Sequence, residues 1–167
     1  MSVRVIAPFH GGHDHEQCLL QALENAERVC RSRGLRFTAL RRSALELVWR
    51  SHKPVGAYDV MEGLRKRGHR PAPPTAYRAL EFLHQAGLIH RIESLNAFVG
   101  CADPESTHAG QFFICNKCHR VAEVEDASLN RQIARHADEL GFTTSDQTIE
   151  IHGRCADCGD GQRDKRS

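Results

Sequence analysis

FFICNKCHRVAE, residues 112–123, places Cys115 and Cys118 between two runs of residues that favour β-strands. A second Cys-x-x-Cys pair, Cys155 and Cys158, follows after 36 intervening residues. Each short spacing allows both sulfurs of a pair to reach one tetrahedral ion. The four cysteines therefore predict a closed four-thiolate zinc site that ties the first pair to the end of a small domain.

Two other uses of these cysteines are disfavoured but stay open, namely disulfides and a thiol redox pair. The chain has seven cysteines, an odd number, and residues 1–12 lack the features of an export signal. The βαβ surroundings of a thioredoxin-like pair are missing. A zinc deaminase fits poorly, because His108 is followed by Ala-Gly and Ile114 precedes the first pair. A closed structural site also has no open position for catalysis.

The 167 residues, of which 40% are hydrophobic and 26% charged, suit one globular domain or two small ones. No apolar run approaches the roughly 18 residues of a membrane span, so we expect a cytoplasmic protein with no membrane partner. The net charge of +2 is unevenly divided. Residues 1–92 carry fifteen Lys and Arg against eight Asp and Glu, giving +7, whereas residues 93–167 carry eight against thirteen, giving −5. The first half is therefore the part expected to meet a polyanion.

Apolar residues recur at helical spacing in four segments of the first half, and glycine or proline follows each segment. Thr38 can cap the second helix, and the prolines before Thr75 can open the fourth. Two short strand-like runs come next and form a hairpin, so a winged helix-turn-helix is predicted. The four helices and two strands cover about residues 16–32, 38–53, 57–68, 75–87, 88–92 and 96–101.

The second half predicts a small α/β domain. A helix capped by Asp126 follows two strands and precedes a third, which leads to the second cysteine pair. The predicted fold is α+β. Its parts are a winged-helix domain at residues 1–99 with a flexible arm at 1–15, a hinge at 100–110, a zinc-stabilised domain at 111–158 and a disordered tail at 159–167.

A second group of metal-binding side chains begins on the hairpin. If its turn centres on residues 94–95, His90 lies opposite Val99, and Cys101 is its diagonal neighbour on the same face. His108 in the hinge and Glu123, which follows the first cysteine pair, could complete the set of ligands. The thiolate and the carboxylate would then offset the two charges of a divalent ion, and two neutral imidazole nitrogens would complete its coordination. Each residue also has an ordinary explanation as a surface or buried side chain, and both interpretations stay open.

The chain resembles the ferric uptake regulator family, most closely its zinc uptake regulators, over about residues 17–158. The specific feature is a TAYRAL helix motif combined with two cysteine pairs. The segments that carry the resemblance are LRFTALRRSALELV (35–48), GAYDVMEGLR (56–65), PPTAYRALEFLHQAGLIHRIES (73–94), THAGQFFICNKCHRVAEVE (107–125) and GRCADCG (153–159).

This resemblance implies a homodimeric repressor that binds a two-fold symmetric operator in double-stranded DNA when zinc is plentiful and controls zinc-uptake genes. It implies two zinc ions per chain and no enzymatic activity or small-molecule substrate. The structural zinc would be held by Cys115, Cys118, Cys155 and Cys158. The sensory zinc would be held by His90, Cys101, His108 and Glu123.

An iron- or peroxide-responsive member of the family is the nearest alternative. Such members carry a His-His-Asp-His run before the first cysteine pair, where this chain has residues 106–111, STHAGQ. That departure favours zinc, as does the thiolate of Cys101. A zinc enzyme or a thiol redox protein is the alternative from another class.

The resemblance and the basic charge of the first half also predict the DNA contacts. Arg78 is the expected base-reading residue, because its guanidinium group can donate two hydrogen bonds to the two acceptors on the edge of guanine. The supporting candidates are Tyr58, Thr75 and Tyr77. The candidates for phosphate contacts are Arg41, Arg42, Arg65, Lys66 and Arg67.

Some residues of types that can bind metal ions fall outside both predicted sites. Cys18 and Cys30 are expected to pack in the first helix. A further group, interpreted as a solvated tail or a weak metal-binding arm, consists of His10, His13 and His15.

Overall fold

The computed structural model describes residues 3–9, 15–50, 53–106 and 110–159. Its helices and strands, in chain order, are β1 (Val3–Ala7), α1 (His15–Ser32), α2 (Ala39–Val48), β2 (Val55–Gly56), α3 (Ala57–Lys66), α4 (Pro73–Gln85), β3 (Ile89–Ile92), β4 (Ala97–Gly100), β5 (Gly110–Cys115), β6 (Val121–Asp126), α5 (Ala127–Glu139) and β7 (Thr148–Gly153). No helix in these ranges is long and apolar enough to cross a membrane.

The chain divides into two compact units, each with its own sheet. One unit, called the winged unit here, comprises His10–His108, and the other, called the cysteine unit, combines Met1–Phe9 with Ala109–Ser167. The winged unit has a three-stranded sheet in the order β2-β4-β3, and the cysteine unit has a four-stranded sheet in the order β1-β6-β5-β7.

Local sequence explains the predicted helices of the winged unit. Thr38 caps α2 as expected, because its side chain accepts a hydrogen bond from the backbone N–H of Arg41 at 3.4 Å. Pro73 lies at the start of α4, where its missing N–H costs nothing. The apolar faces of the four helices meet β3 and β4 in one core. Its largest fully buried side chains include Leu45, Leu64, Leu80, Leu83, Leu88 and Ile89.

The predicted hairpin is present with the expected register. His90 pairs with Val99 across the antiparallel strands β3 and β4, and the backbone N–H of Cys101 donates to the carbonyl of Leu88 at 3.1 Å. A single 3₁₀ turn joins the strands, and Asn96 closes it with a left-handed φ of 46°. Since this turn fixes the register, His90 and Cys101 lie on one face of the hairpin.

Gly100 ends β4 directly beneath the ring of Trp49. A Cβ atom at this position would lie well inside van der Waals distance of the indole. We therefore expect Gly100→Ala to destabilise the winged unit by about 1–3 kcal/mol, the usual cost of overpacking. Urea denaturation measures this change. Gly153→Ala is the control, since its new methyl group would meet nothing within 4 Å. Equal stability of the two variants would show that the indole moves aside freely.

The cysteine unit has the predicted helix and strands. β6 runs antiparallel to β5, and β7 runs parallel to β5 on its other side. Asp126 caps α5, accepting from the backbone N–H of Ser128 at 2.8 Å and from its hydroxyl at 2.6 Å. The hydroxyl of Ser128 is also the first cause that holds the pKa of Asp126 below its usual value. The cap therefore stabilises α5 fully above the ordinary pKa of aspartate, and this stabilisation is lost as the pH falls through the lowered pKa of Asp126.

The expectation of a flexible arm at residues 1–15 is wrong for Val3–Ala7. These residues form β1, which pairs antiparallel with β6 from Val3 opposite Asp126 to Ala7 opposite Glu123. The alternating sequence VRVIA favours a strand, and the open edge of β6 supplies its hydrogen-bonding partners. The strands at either end of the expected hinge include Gly100 and Gly110, and residues 160–167 lie outside the described part of the chain.

Candidate metal centre and nucleic-acid interface

Two cysteine pairs converge at one end of the cysteine unit. The sulfur atoms of Cys115, Cys118, Cys155 and Cys158 all lie within 4.8 Å of one another. The sulfurs of Cys118 and Cys155 are 3.7 Å apart. A tetrahedral zinc ion with bonds of about 2.3 Å requires sulfur–sulfur distances of about 3.8 Å. The cluster therefore fits a closed four-thiolate zinc site.

The sheet brings the two pairs together. Cys115 ends β5 and lies opposite Gly153, the last residue of the parallel strand β7. The backbone N–H of Asn116 donates to the carbonyl of Gly153 at 2.8 Å, which joins the two loops. His119 takes a left-handed φ of 59°, and its N–H donates to the carbonyl of Cys115 at 2.9 Å. Each cysteine pair therefore lies in a tight turn at the end of one of two neighbouring strands.

The surroundings of the four thiols affect their ionisation differently. Backbone N–H groups, first that of Cys118 and then that of Cys155, lower the pKa of Cys115 to about 5. Burial first, and then the neighbouring cysteine sulfurs, raise the pKa of Cys158 to about 12. One thiolate thus forms readily, whereas four together need a cation to offset their charge. This is the electrostatic arrangement of a metal site.

The second predicted group has members in both units. In the winged unit, an imidazole nitrogen of His90 lies within 4.8 Å of the sulfur of Cys101. Cys101 is 3% exposed. In the cysteine unit, Glu123 is also 3% exposed, an unusual burial for a glutamate side chain. His108 lies outside the described residues.

The other cysteine and histidine residues singled out from the sequence form no comparable group within the described part of the chain. Cys30 is 1% exposed in the core, and burial raises the pKa of its thiol. It therefore packs as an apolar side chain. Cys18 is half-buried in the same helix. His10 and His13 lie outside the described residues, as does the side chain of His15.

α4 presents the residues predicted to contact DNA. Ala76, Ala79, Leu80 and Leu83 are buried on one face of the helix. Thr75, Tyr77 and Arg78 are exposed on the other, and Tyr77 is 59% exposed. Tyr58, near the start of α3, is 65% exposed. Both tyrosine side chains are therefore available to contact a partner and have no role in the core.

The structure separates the arginine and lysine candidates for phosphate contacts into two groups. Those that contact an aromatic or acidic side chain are Arg41, which stacks on Phe82, and Arg42, Lys66 and Arg67, which pair with Glu27, Glu62 and Glu46. Arg65, which donates to the sulfur of Met61 at 3.8 Å, lines an open groove of 460 Å³ at the start of α4, together with Arg70 and Pro71. Sequence reasoning did not single out Arg70. Its position just before the prolines that open α4 was the available signal.

These features define a winged-helix protein with a four-cysteine candidate metal centre. The comparisons then identify the family: the chain belongs to the Ferric uptake regulator family, whose model matches residues 32–152.

Several of the similar proteins are named for zinc uptake. The chain is 35% identical over 139 residues to the zinc uptake regulation protein of Escherichia coli (strain K12), a match that covers 83% of this chain and 81% of that protein. It is similar to a solved zinc uptake regulator complexed with zinc and DNA, with a TM-score of 0.80, 35% identity and coverage of 84% and 94%. A crystal structure of holo XcZur has a TM-score of 0.76 and 43% identity and covers 81% and 95%.

Proposed function

We propose that this protein is a zinc-responsive transcriptional repressor that binds operator DNA as a homodimer and controls zinc-uptake genes. It acts in the cytoplasm as a regulator and not as an enzyme. The observation that carries the proposal is the pairing of a thiolate with an imidazole on the hairpin, Cys101 beside His90. A soft sulfur ligand favours zinc over the oxygen-rich coordination that suits harder ions. The relatives named for zinc uptake, one of them complexed with zinc and DNA, support the same conclusion.

Two zinc ions per chain serve two purposes in this proposal. The first occupies the four-thiolate cluster and stabilises the cysteine unit. The second is exchangeable and senses zinc. Its ligands are His90, Cys101, His108 and Glu123. Glu123 is buried and its carboxylate oxygen is a type of ligand that zinc accepts, and both properties support this assignment.

Dimerisation through the cysteine unit accounts for its exposed apolar side chains. α5 has no buried residue, although Leu129, Ile133 and Ala137 form an apolar stripe along it. Beyond the helix, Leu140 is 81% exposed and Phe142 is 63% exposed. A second copy of the chain would cover this stripe and the outer edge of β7.

A dimer presents two α4 helices to successive major grooves, so the operator has approximate two-fold symmetry. In this assignment Arg78 reads guanine, and Thr75 and Tyr77 support it from the same helix. Tyr58 reaches a phosphate or a thymine methyl group. Arg65 and the other phosphate candidates, Arg41, Arg42, Lys66 and Arg67, supply phosphate contacts.

The zinc response follows from the positions of the sensory ligands along the chain. His90 and Cys101 belong to the hairpin, His108 to the connecting segment and Glu123 to β6. Holding all four at one point restricts the conformations open to the chain, and the operator selects among those that remain. A shift from about 1:99 to 99:1 requires roughly 5.5 kcal/mol of differential binding. Four ligands acting on a divalent ion can supply that amount.

Selection from a pool of randomised DNA duplexes tests the function. We expect enrichment of a two-fold symmetric sequence when zinc is present and none when a chelator removes the exchangeable ion. Parallel selections with ferrous and manganous ions test specificity. Equal enrichment with the chelator would refute zinc control, and enrichment with iron but not zinc would identify an iron-responsive regulator.

Arg78→Ala is expected to weaken operator binding by about 10- to 100-fold and to relax specificity at one base pair, since one bidentate contact contributes about 1–3 kcal/mol. Fluorescence anisotropy with the selected duplex and single-base variants of it measures both effects. Arg31→Ala, an exposed substitution on α1, is the matched control. If Arg78→Ala weakened binding to every duplex equally, Arg78 would be a phosphate contact and not a base contact.

A further inference from the structure

β1 is held on the cysteine unit by more than its strand pairing. Arg4 forms an ion pair with Glu125 at 3.7 Å across the β1–β6 pair. Just beyond the end of β1, Nη1 of Arg120 donates to the backbone carbonyl of Phe9 at 3.3 Å. Two side-chain contacts from the C-terminal part of the chain thus fix the two ends of this N-terminal segment.

Arg120 also contacts the second cysteine loop. Its Nη1 lies 3.5 Å from the carboxylate of Asp157, which stands between Cys155 and Cys158. The backbone carbonyl of Arg120 accepts from the N–H of Cys115 at 3.0 Å. Arg120 therefore touches both cysteine loops and the end of β1 at once.

The contacts made by β1 extend along β6 to Glu123. Ala7 lies opposite Glu123 in the β1–β6 pair, so β1 covers the edge of β6 at the residue assigned to the sensory zinc. A covered edge has its backbone groups paired and moves less than an open one. Whatever holds β1 in place therefore also limits the movement of the backbone that carries this carboxylate.

We infer that Arg120 is a positioning residue that links the structural metal loops to the docking of β1, and that β1 in turn supports the Glu123 segment of β6. The link runs from Asp157 to Arg120 to the carbonyl of Phe9. The part that concerns zinc sensing rests on the function proposed above, whereas the docking of β1 does not.

Amide hydrogen exchange on the full-length, zinc-loaded protein tests the docking step. We expect Arg120→Gln and Asp157→Asn each to accelerate exchange across β1 by about fivefold, the usual effect of losing one charge-assisted contact that is partly exposed. Because Asp157 acts through Arg120, the double variant is expected to match Arg120→Gln alone, whereas independent effects would multiply to about 25-fold. Arg135→Gln is the control, since it removes an exposed ion pair with Glu139 elsewhere in the same unit.

Three results would overturn the inference. They are unchanged exchange at β1 in Arg120→Gln, multiplicative effects in the double variant, and loss of the structural zinc in either single variant. The last would mean that Arg120 supports the metal loop itself and not the strand. Zinc per chain after dialysis measures that retention.

The sensing step needs a separate readout. Val5→Pro removes a backbone donor from β1 and is expected to lower the affinity of the exchangeable zinc by about tenfold, as weakened support of a ligand usually does. Val5→Thr is the control. If Val5→Pro releases β1 without changing zinc affinity, while wild-type protein still responds to zinc, the inference fails and the proposed function stands. If wild-type protein binds no exchangeable zinc, the proposed function fails independently of β1.

Discussion

Cys155→Ser is expected to lose the structural zinc, unfold the cysteine unit and abolish dimerisation. The four sulfurs lie within 4.8 Å of one another, so the loss of one leaves three thiolates that no longer close the site. Structural zinc commonly contributes about 10–16 kcal/mol to the folding of small domains. A unit this small has little core with which to compensate for that loss.

Zinc analysis, far-ultraviolet circular dichroism and analytical ultracentrifugation measure the three effects. Cys18→Ser is the matched control, because Cys18 is half-buried in α1 and far along the chain from the cluster. Retention of one zinc per chain and of the dimer by Cys155→Ser would contradict a structural role for the cluster.

His90→Ala and Cys101→Ser are expected to keep the fold and the structural zinc but to lose the zinc response. Each removes one of four proposed ligands of the exchangeable ion. We expect zinc-stimulated operator affinity to fall by about 100-fold or more in both variants, because most of the roughly 5.5 kcal/mol that drives the population shift is lost. The basal affinity of zinc-depleted protein should stay the same.

Operator binding at fixed free zinc concentrations measures this effect, and zinc analysis confirms that one ion per chain remains. His84→Ala is the control, since it removes an exposed imidazole from the last turn of α4. An unchanged zinc response in both His90→Ala and Cys101→Ser would remove the hairpin from the sensory site.

The hairpin shows what the sequence can predict well. Its register follows from a short turn, so the placement of His90 opposite Val99 could be predicted from spacing alone. The caps at Thr38 and Asp126 were equally predictable, because a capping side chain acts on the backbone two or three residues away. Local interactions determine these features, and the sequence displays local interactions directly.

Features that depend on distant partners were not predictable. β1 pairs with β6, which lies far along the chain, and the five residues VRVIA carry too weak a pattern to identify that partner. Likewise, the pairing of Arg67 with Glu46 depends on how α2 and α3 pack. The four cysteines are an exception, because their chemistry and spacing together imply a common ligand.

In the proposed mechanism a second, exchangeable zinc ion controls operator binding. The most direct test follows operator affinity and bound zinc per chain in one titration, starting from protein that holds only its structural ion. We predict weak binding at one zinc per chain and a rise in affinity that parallels occupation of the second site. Full affinity at one zinc per chain, or a second ion that binds without changing affinity, would contradict the claim.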